Sequence, residues 1–369
     1  MTPPITLTSP LPAEDLRFES MTFSAGLSVL EEMRLRLISD RPDLEPEDLL
    51  GQAIDVAVEL RDGAKRHFCG FVTSFGFGKH QGRYFGYQAE VRPWLWFLTR
   101  TADCRIFQNQ TVKEIVETVF ADHSAIAKYE FKLDASYRKR EYCVQYRETD
   151  FNFVARLLED EGIHWYFEHS EGQHMLMLVD GHQHVTMPGY EQLPYYANAG
   201  QVPPDVEYIS NWNFARSVES GKAVLTSYDF ERPSTKLQVE TAYARAHEQA
   251  EGEVFDFQGD YTRKEDGQQL TDNRIDEIQS RHEQLSGTTN AHGLAAGHLF
   301  TLEGHPRADQ NIQYLCARTV ITAQVNAEES GNAAGDYQCN FSAVPGSHQF
   351  RPPRRTPKPA AWSIRTMTG

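Results

Sequence analysis

Between Tyr142 and Val179 the hydrophobic pattern changes period. In DFNFVARLLEDEG, Phe151, Val154, Leu157 and Leu158 recur at three- and four-residue intervals, Thr149 or Asp150 stands where an N-cap belongs, and Gly162 stands where a helix ends. IHWYFEH then alternates, with Ile163, Trp165 and Phe167 on one face and His164, Tyr166 and Glu168 on the other. After a turn at Ser170 to Gln173, HMLMLVD returns with Met175, Met177 and Val179 on one side, so the segment predicts helix, strand, turn, strand. One local rule is broken. Glu159, Asp160 and Glu161 crowd the helix C-terminus, where the macrodipole disfavours each exposed acid by roughly 0.3–1 kcal/mol. Arg156 reaches Asp160 only in the less favourable i,i+4 order, so compensation from outside the helix is expected.

Elsewhere strand periodicity dominates. MRLRLISD, AIDVAVEL, AVLTSYDF, HLFTLEG and IQYLCARTVITAQV alternate or run apolar at strand length, and RHFCGFVTSFGFGKHQGRYFGYQAEVRP holds two strands around a turn. TVKEIVETVFADH predicts a helix with Thr111 and Glu114 as its capping box. LTDNRIDEIQSRHEQL places Ile275, Ile278, His282 and Leu285 at helical spacing. The expected partition is a β region over 1–105, a helix-containing αβ region with a hairpin over 106–190, a second β region over 191–350, and a basic Pro-rich linker over 351–369. The fold class expected is mainly β with α+β insertions, built on barrels or sandwiches.

At 369 residues, with 40% hydrophobic and 11% aromatic residues, the chain can bury two or three cores. No run of eighteen apolar residues occurs, and MTPPITLTSPLPAEDLRF has no basic start and apolar core of the signal-peptide kind, so cytoplasmic folding is the default. Five scattered cysteines without CxxC spacing read as buried thiols. The net charge of −16 divides unevenly: Arg351, Arg354, Arg355, Lys358 and Arg365 carry +5, leaving −21 on the rest. Such a body repels nucleic acid. The tail could bind an acidic surface, but its prolines favour a stiff linker.

Candidate chemistry is sparse. Gly76, Gly78 and Gly82 have GxGxxxG spacing and precede a strand, not the helix a phosphate loop needs. HEQ triplets at His247 and His282 lack the second histidine of a zinc protease. His182 and His184, with His164, His169 or His174 nearby, could gather a metal, but spacing fixes no third ligand. Glu159, Asp160 and Glu161 diverge around a helix axis, whereas a glycosidase pair must face across about 5–10 Å. HPRADQN, from His305 to Asn311, reads as a turn. No catalytic, cofactor-binding or metal residues are assigned.

CVQYRETDFNFVARLLEDEGIHWYFEH resembles the signature segment of VgrG spike proteins of type VI secretion systems. RPWLWFLTRTADCRIFQNQTVKEIVETVF, YDFERPSTKL, FDFQGDYTR and LEGHPRADQNIQYL follow in that family's order, and FRPPRRTPKP is similar to its interdomain linker. The resemblance implies a phage baseplate hub-like fold with two related β-barrels and a smaller αβ region. It implies a homotrimer whose pseudo-sixfold ring caps the Hcp tube. Further implied partners are baseplate components and, through C-terminal parts that do not follow here, a spike-tip protein and effectors. The family's OB-fold and needle are not found after the linker, so this chain reads as the front of something longer. A noncatalytic hub without cofactor, nucleic acid or membrane anchor, assembled in the cytoplasm and then ejected, is the function expected. The alternatives are a hub of a phage-derived contractile particle and a metal-dependent hydrolase.

Overall fold

The computed structural model describes residues 5–81, 83–243, 245–257, 261–325 and 335–359. Gly82 of the glycine series and the end of the basic tail from residue 360 lie outside the described residues.

The first six strands are β1 (Ile5–Thr8), β2 (Arg17–Gly26), β3 (Val29–Ser39), β4 (Ala53–Glu59), β5 (Lys65–Gln81) and β6 (Tyr84–Arg92). They pair in the order β1-β4-β5-β6-β3-β2, and β1 comes back beside β2 without a ladder between them. The hairpin read from RHFCGF…EVRP is β5 and β6, and Gly76 and Gly78 sit within β5 instead of a turn.

The middle of the chain holds β7 (Ala102–Gln110), α1 (Val112–Ala121), β8 (Tyr129–Lys132), β9 (Arg140–Thr149), α2 (Asp150–Glu161), β10 (His164–Ser170) and β11 (Gln173–Val179). Thr111 and Glu114 form the predicted capping box on α1. Thr149 caps α2 by accepting from the Asn152 amide, and Gly162 ends it at φ 73°, a left-handed conformation that favours glycine. The core of this layer joins Ile115, Val119 and Phe120 of α1 to Leu157 and Leu158 of α2 and Trp165 and Phe167 of β10. Phe153, fully buried, takes the central place, while the expected Phe151 is only half-buried. The second face of the β10–β11 hairpin is not solvated. Tyr166, Met177 and Val179 bury against Leu27 and Leu315, so the alternation feeds two cores.

After β12 (Gln192–Pro194) and β13 (Ile209–Arg216), a separate three-stranded sheet forms from β14 (Lys222–Thr226), β15 (Val239–Ala242) and β16 (Glu253–Phe257). The helix α3 (Lys264–Gln279) contributes Leu270 to that sheet's core with Leu225, Leu237 and Val239. The helix predicted to run through Leu285 stops at Gln279. HEQLSGTT has strand period and pairs as β17 (Glu283–Thr289), so His282 is a turn residue whose Nδ1 donates to the Ser217 carbonyl at 2.6 Å.

The last strands are β18 (Leu299–Glu303), β19 (Gln313–Val325) and β20 (Gly335–Pro345). A second group of six runs β18-β19-β20-β17-β13, and β12 pairs β18. An isolated bridge from Tyr195 to Ile209 carries β13 back toward β12. Neither group closes by a continuous ladder, yet each curls around apolar side chains. β2 pairs β19, so the two groups form one twelve-stranded sheet with a shared core from Phe23, Leu35 and Phe68 to Trp212, Phe300 and Phe341.

Candidate assembly surface

Four of the five histidines proposed as ligands have another occupation. His169 Nδ1 accepts from the Cys69 amide at 3.0 Å and its Nε2 faces the Glu31 carboxylate at 2.8 Å, tying the hairpin to the first barrel-like unit. His174 Nε2 accepts from the Trp94 amide at 2.8 Å. His184 donates through Nδ1 to the Gly297 carbonyl at 2.8 Å, which leaves its Nε2 to accept from His164 Nε2 at 2.9 Å. Burial holds His174 down to about 3 and His184 down to about 4, and also depresses fully buried His164. His182 is exposed. Among the described residues, no three His, Cys, Asp or Glu side chains are placed to hold a metal ion.

The acidic triplet is resolved in the same way. Arg156 turns away from Asp160 and forks onto Glu148 at 2.7 Å, so the expected i,i+4 pair is absent. Glu161 is buried between Arg138 at 3.2 Å and Arg140 at 2.8 Å. Arg140 is itself buried, which opposes its charge, but Glu161 and Asp160 hold its pKa above the ordinary value. Asp160 meets Lys358 at 3.4 Å, and Glu159 accepts from the Arg355 and Thr356 amides at 3.1 and 3.0 Å. The compensation for the helix end therefore comes from Arg138 in the loop before β9, from Arg140 of β9 and from the basic tail. That tail, read as a linker, packs on an acidic surface of its own chain as far as Lys358. Four cysteines are buried as expected; Cys104 is exposed.

Two surfaces remain that the interior does not explain. The first is the outer face of the large sheet. One cross-strand row runs Ser74, Glu90, Arg34, Thr22, Thr322, Gln338, and the next runs Gly76, Gln88, Arg36, Ser20, Gln324, Asp336. Six strands at about 4.8 Å spacing give a band roughly 25 Å wide crossing both units. Beneath it Met21, Phe23, Met33, Leu35, Ile321 and Ala323 fill the core. The band borders a concavity of about 1020 Å³. Arg34 pairs with Glu32 and lies 3.9 Å from Glu90, so part of the charge on this face is matched locally.

The second surface is the outer face of the β7–β9 ribbon. Cys104, Ile106 and Gln108 stand opposite Tyr146, Val144 and Tyr142, and none of the six is charged. Ile106 is 68% exposed and Tyr142 63%. The opposite face buries Phe107 and Cys143. An uncharged, apolar ladder on a chain of net charge −16 is a contact surface in character. Neither CRIFQNQ nor YCVQYRE is among the strands expected from the sequence; their pairing, and the face it leaves bare, belong to the folded chain.

The sequence profile of the phage tail baseplate hub (GPD) family matches residues 24–327. The type VI secretion system spike protein VgrG1b of Pseudomonas aeruginosa is 40% identical over 359 residues, covering 95% of this chain and 48% of that protein. This chain thus spans about half the length of the curated relatives it matches. Among solved structures, the E. coli c3393 protein, a type VI component described as similar to the T4 tail proteins gp27 and gp5, superposes with a TM-score of 0.70 at 21% identity, over 96% of this chain and 81% of that one. A tail protein of Neisseria meningitidis superposes at 0.65 with 11% identity, over 97% of this chain and 100% of that one. The expected β-rich, hub-like fold is therefore present, and with 304 consecutive residues inside the profile the chain belongs to the phage tail baseplate hub family, on the branch that resembles VgrG spike proteins.

Proposed function

We propose that this chain is the noncatalytic hub of a type VI secretion spike, in which three copies arrange their six barrel-like units as a pseudo-sixfold ring that caps the Hcp tube. The observation that carries the reading is the unbroken sheet joining two six-stranded units edge to edge through β2 and β19. Three such pairs present six similar units to a sixfold tube. In this ring the polar band of Ser, Thr, Gln and balanced Arg–Glu side chains faces the lumen. The uncharged β7–β9 face meets a neighbour or a baseplate protein. The division into a first β unit, an αβ region, a second β unit and a basic segment serves this assembly. The hub forms in the cytoplasm, leaves with the spike on contraction, and helps deliver effectors held by other parts of the spike. The matches to baseplate hub and spike proteins favour a role without catalysis. The 40% identity to a type VI spike favours this setting over a phage-derived particle.

The test is solution mass by light scattering across a concentration series, followed by electron microscopy with purified Hcp tubes. A threefold mass and rings seated on tube ends are expected. A monomer at every concentration that also leaves tube ends bare overturns the reading.

A further inference from the structure

The basic segment that ends the described chain does not leave the molecule. Arg351 donates through one Nη to the carbonyls of Gly162 at 3.1 Å and Asp180 at 2.7 Å, and its Nε lies 3.7 Å from Asp276. The Arg354 amide donates to Glu277 at 3.2 Å. Glu159 takes the Arg355 and Thr356 amides and, at 2.8 Å, the Thr356 hydroxyl. Lys358 reaches Asp160 at 3.4 Å.

Three features set this apart from ordinary tail packing. The contacts are spaced along an extended, proline-punctuated backbone, RPPRRTPK, and are received by backbone carbonyls and carboxylates from two different helices. The acids at the end of α2 break that helix's charge rule when it is considered alone, and the segment answers two of them, with backbone amides on Glu159 and the Lys358 ammonium on Asp160. Behind the segment lies an apolar groove of about 620 Å³, lined by Leu158, Ile163, Trp165 and Phe214, with Pro353 and Thr356 on its wall.

We propose that the acidic cradle formed by the C-terminal end of α2 and the facing side of α3 is a binding site for a cationic, proline-containing extended peptide, filled here in cis by Arg351 to Lys358 as a releasable strap. The strap joins α2 to α3 and walls the apolar groove. Its ionic contacts are partly exposed, with Lys358 half open to solvent, so they weaken with salt, whereas the apolar cores do not. The cradle is selective for backbone as well as charge, because Glu159 reads two successive amides that a compact basic helix would not present. A second copy's basic segment and a basic segment of another protein share this chemistry, and both would compete with the strap. The inference rests on the chain's own contacts and stands whether or not the ring described above forms.

The experiment follows amide exchange at Arg355 and Thr356 in the full chain, with the β19–β20 ladder as an internal control for folding. Glu159→Ala removes the carboxylate oxygen that accepts from both amides. Bonds to a charged acceptor are worth roughly 1.5–3 kcal/mol, so exchange at the two amides should rise about tenfold or more while β19–β20 is unchanged. Salt raised from low to molar concentration should act in the same direction. In parallel, a labelled peptide of sequence FRPPRRTPKP is titrated onto the Arg351→Ala/Arg354→Ala/Arg355→Pro/Thr356→Pro/Lys358→Ala variant, whose segment lacks both its cations and the two amides that Glu159 accepts and so vacates the cradle. Binding that is at least tenfold tighter than to the unaltered chain, and lost when Glu159→Ala is added, supports an exchangeable site. Unchanged exchange in Glu159→Ala, or no peptide binding to the vacated cradle, overturns it.

Discussion

Replacing Glu161 by glutamine sets two effects of opposite sign against each other. Removing a negative charge from the end of α2 relieves an unfavourable dipole interaction worth about 0.3–1 kcal/mol. It also strips the shared carboxylate from Arg138 and Arg140, which lie 3.2 and 2.8 Å away in a site where the Glu161 side chain is 1% exposed. Breaking a buried pair by neutralising one partner costs about 3–5 kcal/mol, because the remaining charge stays desolvated. Asp160, 3.9 Å from Arg140, keeps some compensation, so the lower end applies. The net expectation is a loss of about 2–3 kcal/mol, the pair outweighing the dipole. For a cooperative unit of 150–250 residues that is a melting shift of about 4–12 °C. The assay is thermal unfolding by circular dichroism, with urea midpoints as a second measure. Lys113→Ala is the control, since its pair with Glu117 is exposed on both sides and contributes less than about 1 kcal/mol. If Glu161→Gln melts with the control or above it, the helix-end penalty dominates and the compensation argument fails.

Other expectations can be checked directly. His164, His174, His184 and His298 are held below the ordinary 6.5 by burial, with His184 and His298 at about 4. The unfolded chain therefore binds protons that the folded chain refuses as pH falls below about 6.5. Stability is full above that value and declines toward pH 4, so the urea midpoint at pH 5 should lie below that at pH 7.5. Phe153→Ala should cost about 3–5 kcal/mol by opening a cavity under α2, against much less for half-buried Phe151→Ala, read as paired melting curves. His174→Ala leaves the Trp94 amide buried without its acceptor and should cost about 1–3 kcal/mol in urea unfolding. Ile106→Glu, at a 68% exposed position, should leave the unfolding free energy within about 0.5 kcal/mol of the parent while reducing the assembled mass in light scattering.

The signals that local chemistry writes into a sequence were readable. The Thr111–Glu114 box, the Thr149 cap and the left-handed stop at Gly162 each depend on residues within one turn of one another. The strand runs likewise alternate because a pleat has period two. The helix end carrying three acids was recognisable as a fault, but its remedy was not, because Arg138 comes from the loop before β9, Arg140 from β9 itself and Lys358 from almost two hundred residues downstream. The same distance explains why histidines that look like ligands turned out to be spacers between units. His169, His174 and His184 each find a backbone partner far along the chain, in Cys69, Trp94 and Gly297. His282 was misread because Ile275, Ile278 and Leu285 fit a helical count, while the pairing of β17 with β13 and β20 decided for a strand. Period and caps are properties of neighbours in sequence, so the amino-acid order by itself determined α1, α2, the main strand runs and the β-rich class, whereas the end of α3 and the β7–β9 ribbon were decided by strand partners. Which faces are buried, which charges meet and which surface is left bare depend on β2 finding β19 and on the tail crossing α2. Only the tertiary structure decided those, because burial and charge pairing depend on groups that become neighbours only when the chain folds.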